Sequence, residues 1–295
     1  MNRLLLGANG QLGRHVRHHL DEVATCARSD ADFNCDLANF EALESVLNAV
    51  RPQTVINAAA WTAVDDAEDH RDAAFRMNQD LPRHLAAWCH RHDALLIHYS
   101  TDYVFSGHPG RAWREDDPVA PESVYGLSKL GGEQAVAASG CRALVLRTAW
   151  VYSALPGNFL SAILKRAGQG KDLSVVSDQC GSPTWAGTLA AATATLLETL
   201  AGEVKQPKLL HVSGQGAMTW HELARLAVQM AAERGIIGTE VAVEPITSNQ
   251  WPQKAKRPEW SVLDGSRYEQ MTGQALPDVE VALADCLDQW KDAPC

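Results

Sequence analysis

Residues 4–13 run Leu-Leu-Leu-Gly-Ala-Asn-Gly-Gln-Leu-Gly. A short apolar segment that breaks straight into closely spaced glycines, followed by an amphipathic stretch, has few folded solutions. The chain must leave a buried strand, turn tightly and enter a helix. Gly7, Gly10 and Gly13, with Asn9, Gln11 and Leu12 between them, would let the backbone approach a pyrophosphate and aim the first helical N–H groups at it, because each requirement favours a missing side chain. A glycine triplet on its own also serves as a plain strand-to-helix turn, so the segments that follow have to decide.

They alternate. Apolar runs at 4–6, 23–26, 55–56, 95–98 and 144–146 are separated by helical patterns at 11–19, 40–50, 73–90 and 128–139. This rhythm predicts an α/β fold on a doubly wound parallel sheet, Rossmann-like, with a ligand crevice at the carboxyl ends of the strands. After Trp150 the rhythm changes, with helical patterns at 158–167, 185–200, 219–234 and 279–291 and strand-like runs at 173–176 and 209–212. The expectation is a dinucleotide-binding domain over 1–150 and a smaller, mainly substrate-binding domain over 151–295, with elements near 185–215 returning to the sheet.

Charge narrows the partners. A formal net charge of −10 argues against nucleic acid or an anionic membrane, both of which are bound through clustered Lys and Arg. It leaves room for an anionic small molecule in a locally basic pocket. No apolar run reaches the length of a membrane span, and the first residues show no leader pattern. The seven cysteines (Cys26, Cys35, Cys89, Cys141, Cys180, Cys286 and Cys295) are scattered and form no C-x-x-C, which predicts reduced thiols and a cytoplasmic protein.

An acidic residue at the end of the second strand would hold the adenosine ribose of NADH. This chain has Cys26-Ala27-Arg28-Ser29 there. Arg28 and Ser29 suit a 2′-phosphate, so NADPH is favoured, while a solvated Arg28 leaves NADH open. Asp36 and Leu37 are placed to contact the adenine, and the small residues Ala58, Ala59 and Ala60 let the backbone lie against the cofactor.

Tyr125 and Lys129 have the i, i+4 spacing that shares one helix face. An ammonium beside a phenol stabilises phenolate and makes tyrosine a workable proton donor nearer neutrality. Upstream, Tyr99-Ser100-Thr101-Asp102 ends a strand at the crevice, where Thr101 can share a substrate oxygen with Tyr125. Asp102 either tunes the proton relay or caps a turn.

With Asn57 to Asp65, His98 to Phe105, Arg147 to Tyr152 and Asp178 to Thr184, these segments resemble the extended short-chain dehydrogenases and, within them, the dTDP-4-dehydrorhamnose reductases, end to end. The resemblance implies reduction of the C4 ketone of dTDP-4-dehydro-L-rhamnose to dTDP-L-rhamnose, a donor for cell-surface sugars. It further implies that Tyr125 gives the proton, that Lys129 holds the nicotinamide ribose and lowers the tyrosine pKa, and that Thr101 orients the carbonyl. Thr62, Val64 and Trp150 match positions that contact the sugar, alongside Thr101 and Asp102. Asn158 and Arg257 are candidates for holding the nucleotide diphosphate. Trp61 stands where relatives often carry His, and Trp61 and Trp150 could equally be core aromatics. Some members bridge subunits with a divalent ion through a carboxylate on the first helix. His15 stands at that position, so no metal is expected, and the chain is expected to be a monomer or homodimer.

Rival readings differ by single features. A 4,6-dehydratase needs an acid–base pair after Thr101, but Tyr103 occupies the position of its Glu. A 4-epimerase or a reductase of another 4-keto deoxysugar would use the same Tyr and Lys. A non-catalytic nucleotide-binding regulatory subunit would have no need of Thr101, Tyr125 and Lys129 together.

Overall fold

The computed structural model describes residues 2–200 and 202–290. Its first half runs β1 (Arg3–Leu6), α1 (Gln11–His19), β2 (Val23–Ala27), β3 (Phe33–Asn34), α2 (Phe40–Val50), β4 (Thr54–Asn57), α3 (Val64–Ala67), α4 (Arg71–Phe75), α5 (Leu81–His92), β5 (Leu95–Thr101), α6 (Val124–Ala138) and β6 (Arg142–Thr148). The second half adds β7 (Val151–Tyr152), α7 (Phe159–Ala167), β8 (Leu173–Val176), β9 (Cys180–Gly181), β10 (Thr184–Trp185), α8 (Ala186–Leu200), β11 (Lys208–His211), β12 (Met218–Thr219), α9 (Trp220–Glu233), β13 (Val243–Ile246), α10 (Ser266–Thr272) and α11 (Val279–Trp290).

Seven strands form one parallel sheet in the order β11-β6-β5-β4-β1-β2-β3. Leu4, Leu5 and Leu6 are fully buried because helices cover both faces of the sheet, which is why its strands read as unbroken apolar runs. Leu5, Ile56, Ile97 and Leu146 belong to the core on one face, and Leu4, Leu6, Val55 and Leu96 to the core on the other. Strand order reverses between β1 and β4, so the crevice of a doubly wound sheet opens there, above Leu6 and its partner Asn57.

Residues beyond 150 divide between two places. β11 pairs with β6 at the sheet edge and α8 packs against α1. Separately, α7, α9 and α11 enclose their own core of Leu160, Ile163, Leu223, Ala227, Leu283 and Leu287, beside the small parallel pair β8 and β13. The final helix is described as far as Trp290; Lys291, which the helical pattern includes, and Cys295 lie outside the described residues. No helix among the described residues is long and apolar enough to cross a membrane.

Three local departures from the sequence pattern have physical causes. The strand Phe33–Asn34 is too short to leave an apolar run. The expected helix over 73–90 is interrupted by a π-helical turn, Arg76–Asp80, just ahead of Pro82, whose missing N–H cannot continue the ladder. That turn contains the fully buried Asn78, whose side chain bonds both the N–H and C=O of Trp61 and the hydroxyl of Ser128. α6 begins at Val124 rather than 128, capped by the Ser123 hydroxyl on the Gly126 N–H at 3.1 Å, so both Tyr125 and Lys129 lie on the helix.

One buried ion pair pins α6 to β6. Glu133 receives Arg147 in bidentate fashion, Nε to Oε1 at 2.8 Å and Nη2 to Oε2 at 2.7 Å, with both side chains buried. Removing one partner leaves the other charge uncompensated. Glu133→Ala should therefore cost about 3–5 kcal/mol in denaturant unfolding, while Glu133→Leu combined with Arg147→Met should recover only the part owed to Arg147, because Lys129 still lacks its opposing charge.

Candidate active site

The glycine turn sits at the crevice. Gly7 has φ +76°, a left-handed conformation, and a Cβ there would fall 2.8 Å from the Ala59 nitrogen. A Cβ on Gly13 would lie 2.2 Å from the Gly7 carbonyl oxygen, so the first helix can approach the first strand only without a side chain. Gly10 caps α1 without a side-chain hydrogen bond, which leaves the first-turn N–H groups open to an anion. Together with the partly exposed Ala58, Ala59 and Ala60, this is a cradle that side chains would fill, and it fits a dinucleotide pyrophosphate.

Asn9 ties the turn to the end of β2 by donating to the Ser29 carbonyl at 2.6 Å. Arg28 is exposed there and forms no ion pair among the described residues. Asp36 is exposed, its carboxylate accepting from the Ala38 N–H at 3.0 Å, while Leu37 is buried beneath it. Gln11 accepts from the Ser153 hydroxyl at 2.8 Å and so links the helix start to the chain after β7. Leu12 packs against the sheet core.

At the carboxyl end of β5, Thr101 lies beside Thr148 of β6. Its hydroxyl donates to Asp102 at 3.0 Å and accepts the Tyr103 N–H at 3.2 Å. Burial pushes the Tyr125 phenol above its ordinary pKa, and the neighbouring Thr101 hydroxyl acts the other way. Tyr103 meets Tyr125 edge to face, ring centres 5.5 Å apart. Lys129 is also buried. Its ammonium donates to the Tyr99 carbonyl at 2.5 Å, and its pKa is lowered to about 8 by burial, against the opposing charge of Glu133.

The Lys129 ammonium is directed at a strand carbonyl, and the charge of an ionised Asp102 opposes phenolate at Tyr125. Tyr125 is held as the neutral acid. Asp102 is buried, with its pKa pushed up to about 6 by desolvation while the hydroxyls of Ser261 and Thr101 favour the carboxylate.

The substrate-side residues are brought together unevenly. Thr62 is exposed and Val64 partly buried at the start of α3. Trp61 donates its indole N–H to the Ala63 carbonyl and lies 5.8 Å from the His70 ring. Trp150 leaves β6 two residues beyond Thr148 and packs against the cluster of Val104, Phe105, Trp113, Ala149 and Leu263. Arg257 reaches the site: one nitrogen donates to the Tyr103 hydroxyl at 3.4 Å and another to Asp65 at 2.6 Å. Asn158 is engaged differently from the expectation. Its amide donates to the carbonyls of Ser153 and Leu155, and its oxygen accepts from the Ser161 N–H, capping α7. Both N–H bonds of that amide are already spent on the turn. His15 rests edge-on against Trp185, its pKa lowered to about 4 by burial and by His19 and His18.

Sequence reasoning gave no role to Asp65, Tyr103, Glu133 or Ser261. Glu133 carried a usable signal, since it continues the i, i+4 series from Tyr125 and Lys129. Asp65 carried none, being 192 residues from Arg257.

A family model described as the RmlD substrate binding domain matches residues 1–291. A dTDP-4-dehydrorhamnose reductase of Burkholderia thailandensis is 38% identical, the alignment covering 97% of this chain and 98% of that protein. The crystal structure of a dTDP-4-dehydrorhamnose reductase from Clostridium acetobutylicum is 33% identical with TM-score 0.89, over 99% of this chain and 100% of that one. A Bacillus anthracis dTDP-4-dehydrorhamnose reductase in complex with NADP is 29% identical with TM-score 0.86, over 97% and 98%.

The Asp102 geometry has a pH signature. Its folded pKa of about 6 exceeds the unfolded value of about 4, so the folded state holds a proton that the unfolded chain has released in that window. Its stabilising contribution is complete below the unfolded pKa and lost as pH rises through 6. The melting temperature of wild type relative to Asp102→Asn should fall over this interval, and a difference that stays flat would contradict the buried setting of the carboxyl.

Proposed function

The chain belongs to the dTDP-4-dehydrorhamnose reductase family, and from that membership we propose that it uses NADPH to reduce the C4 keto group of dTDP-4-dehydro-L-rhamnose to dTDP-L-rhamnose. The observation that carries the reading is the placement of Thr101 at the carboxyl end of β5 and of Tyr125 against the adjoining Tyr103 ring, beside the glycine cradle of β1.

Gly7, Gly10 and Gly13 with the first turn of α1 would hold the pyrophosphate, Ala58 to Ala60 the adjoining ribose, and Asp36 and Leu37 the adenine. Arg28 and Ser29, exposed at the end of β2, suit the 2′-phosphate. When bound, NADPH supplies the hydride. The protein's task is then to orient the ketone, keep water out and give one proton to the carbonyl oxygen. Thr101 donates a hydrogen bond to that oxygen and Tyr125 delivers the proton. A phenol kept neutral by burial is in the right state to do so, because a reduction consumes a proton at each turnover. Thr101 remains beside the phenolate left behind and stabilises it. Lys129, on the same face of α6, holds the nicotinamide ribose and supplies positive charge behind the tyrosine.

The body built by α7, α9 and α11 forms the sugar-nucleotide side. Thr62, Val64, Asp102 and Trp150 border the sugar and Arg257 the diphosphate, while Asn158 acts through the turn it caps. The enzyme works in the cytoplasm, which suits the free cysteines among the described residues.

The test mixes purified protein with NADPH or NADH and dTDP-4-dehydrorhamnose and follows loss of reduced-nicotinamide absorbance. Sugar-dependent oxidation is expected, with Tyr125→Phe lowering kcat by about 10²–10⁴-fold. Arg28→Ala should raise the KM for NADPH and leave that for NADH unmoved. Cofactor binding without sugar-dependent oxidation would overturn the reading.

A further inference from the structure

Trp150 has φ +48°, a left-handed conformation that is uncommon for a residue with a large side chain. Such a backbone persists only where its surroundings over-determine it, and here the indole is held on both sides. Trp220 lies parallel to it, ring centres 3.5 Å apart and planes within 2°, which leaves no room for an atom between them. On Gly181 a Cβ would stand 2.5 Å from Cε2 of Trp150 and 2.8 Å from both Cζ2 and Nε1. A point 2.5 Å from the shared ring carbon Cε2 and 2.8 Å from both Nε1 and Cζ2, two of the three atoms bonded to it, lies above the ring rather than at its rim. Gly181 therefore covers the face opposite Trp220.

The two walls of this slot are joined to each other. β9 and β12 pair antiparallel, Gly181 with Met218 and Cys180 with Thr219. Trp220 then opens α9, fixed by a capping box in which the Thr219 hydroxyl accepts the Glu222 N–H and the Glu222 carboxylate accepts the Thr219 N–H. Phe159 of α7 supports the far side of Trp220, ring centres 4.5 Å apart. The glycine wall is also tied to the reacting groups: Ser261 donates its N–H to the Cys180 carbonyl, and its hydroxyl acts on Asp102. With Trp220 against one face and Gly181 over Cε2 of the other, the Trp150 ring has little open face on which a sugar could stack, and no acceptor among the described residues meets its Nε1–H.

Resting on the reductase reading, we propose that Trp220 and Gly181 are positioning residues for substrate. They clamp Trp150 so that it offers the sugar the N–H edge of its indole instead of a stacking face. A bonded donor discriminates between hydroxyl patterns far more sharply than an apolar surface does, so the slot is a specificity device for the oxygen substituents of the deoxysugar.

Trp220→Leu in the full chain opens one wall. The KM for dTDP-4-dehydrorhamnose should rise about tenfold, more than kcat falls, with the KM for NADPH unmoved. Trp220→Phe restores a flat ring and should recover most of the loss. Gly181→Ala tests the other wall and should act in the same direction. In ¹⁵N spectra the Trp150 indole N–H, assigned with Trp150→Phe, should move on addition of dTDP-L-rhamnose. Without ligand it should already differ between wild type and Trp220→Leu, through loss of the neighbouring ring current. A wild type that turns over the sugar while Trp220→Leu keeps its KM overturns the proposal, as does an indole signal indifferent to dTDP-L-rhamnose. If the wild type does not oxidise NADPH with this sugar, the reductase reading and the sugar role fail together. The clamp then stands or falls on the ligand-free signal alone.

Discussion

A lysine ammonium taken out of water constrains everything built around it. Lys129 is 3% exposed, and burial of an unpaired charge is expensive enough that the surroundings must compensate. They do so in two ways: the Tyr99 carbonyl at the end of β5 accepts its proton, and Glu133, one turn further along α6, faces it with opposite charge. Glu133 would itself be a buried carboxylate if Arg147 did not meet it bidentately from β6. Lysine, carboxylate and guanidinium thus fix the position of α6 against β5 and β6, and with it the placement of Tyr125 one turn earlier, beside Thr101. The chemistry-bearing face of the helix and the ion pair that holds the helix are one structure.

The other side of the site is closed by chain distant in sequence. The stretch 254–257 is strapped across α3 by Asp65, which accepts the N–H groups of Lys254 and Ala255, both at 3.0 Å, and a guanidinium nitrogen of Arg257. Arg257 in turn touches the hydroxyl of Tyr103, whose ring packs on Tyr125. A continuous contact therefore runs from the proton donor to the strap. Asp102, at the base of this contact, is a buried carboxyl whose protonation changes the field on Tyr125, since its charged form opposes phenolate.

What the sequence made legible was whatever depends on spacing along the chain. The doubly wound sheet follows from alternating apolar runs, and the cradle from glycines placed directly after the first. The Tyr125 and Lys129 face follows from a separation of four. What stayed hidden depends on chain segments meeting in space. Nothing near Asp65 signals Arg257, and nothing near Trp150 signals that Trp220 and Gly181 enclose it. Asn158 shows how one residue supports two readings. It is a candidate for the diphosphate, but an asparagine ahead of a helical run is also a cap, and here its amide is used for that. The start of α6 was misplaced because Gly126 is a poor helix former and Ser123 a good cap, so the local signals gave different boundaries.

A chain of net charge −10 must still bind two anions, a dinucleotide and a sugar nucleotide, and the distribution of its cations shows how. Lys254, Lys256 and Arg257 sit within four residues on the strap, each already paired in the free protein, with Asp69, Glu122 and Asp65. The two lysine pairs are largely exposed, and such pairs contribute about 0–1 kcal/mol each. A phosphate can draw those lysines away at little cost, because charge-assisted bonds to phosphate are the stronger kind. Arg257 is different: it is 22% exposed, and the carboxylate it meets is also bound by two strap N–H groups. It fixes the strap against α3. The charge around the strap is thus set by its own paired cations rather than by the net charge of the chain, so the acidity of the whole does not by itself oppose an anion there.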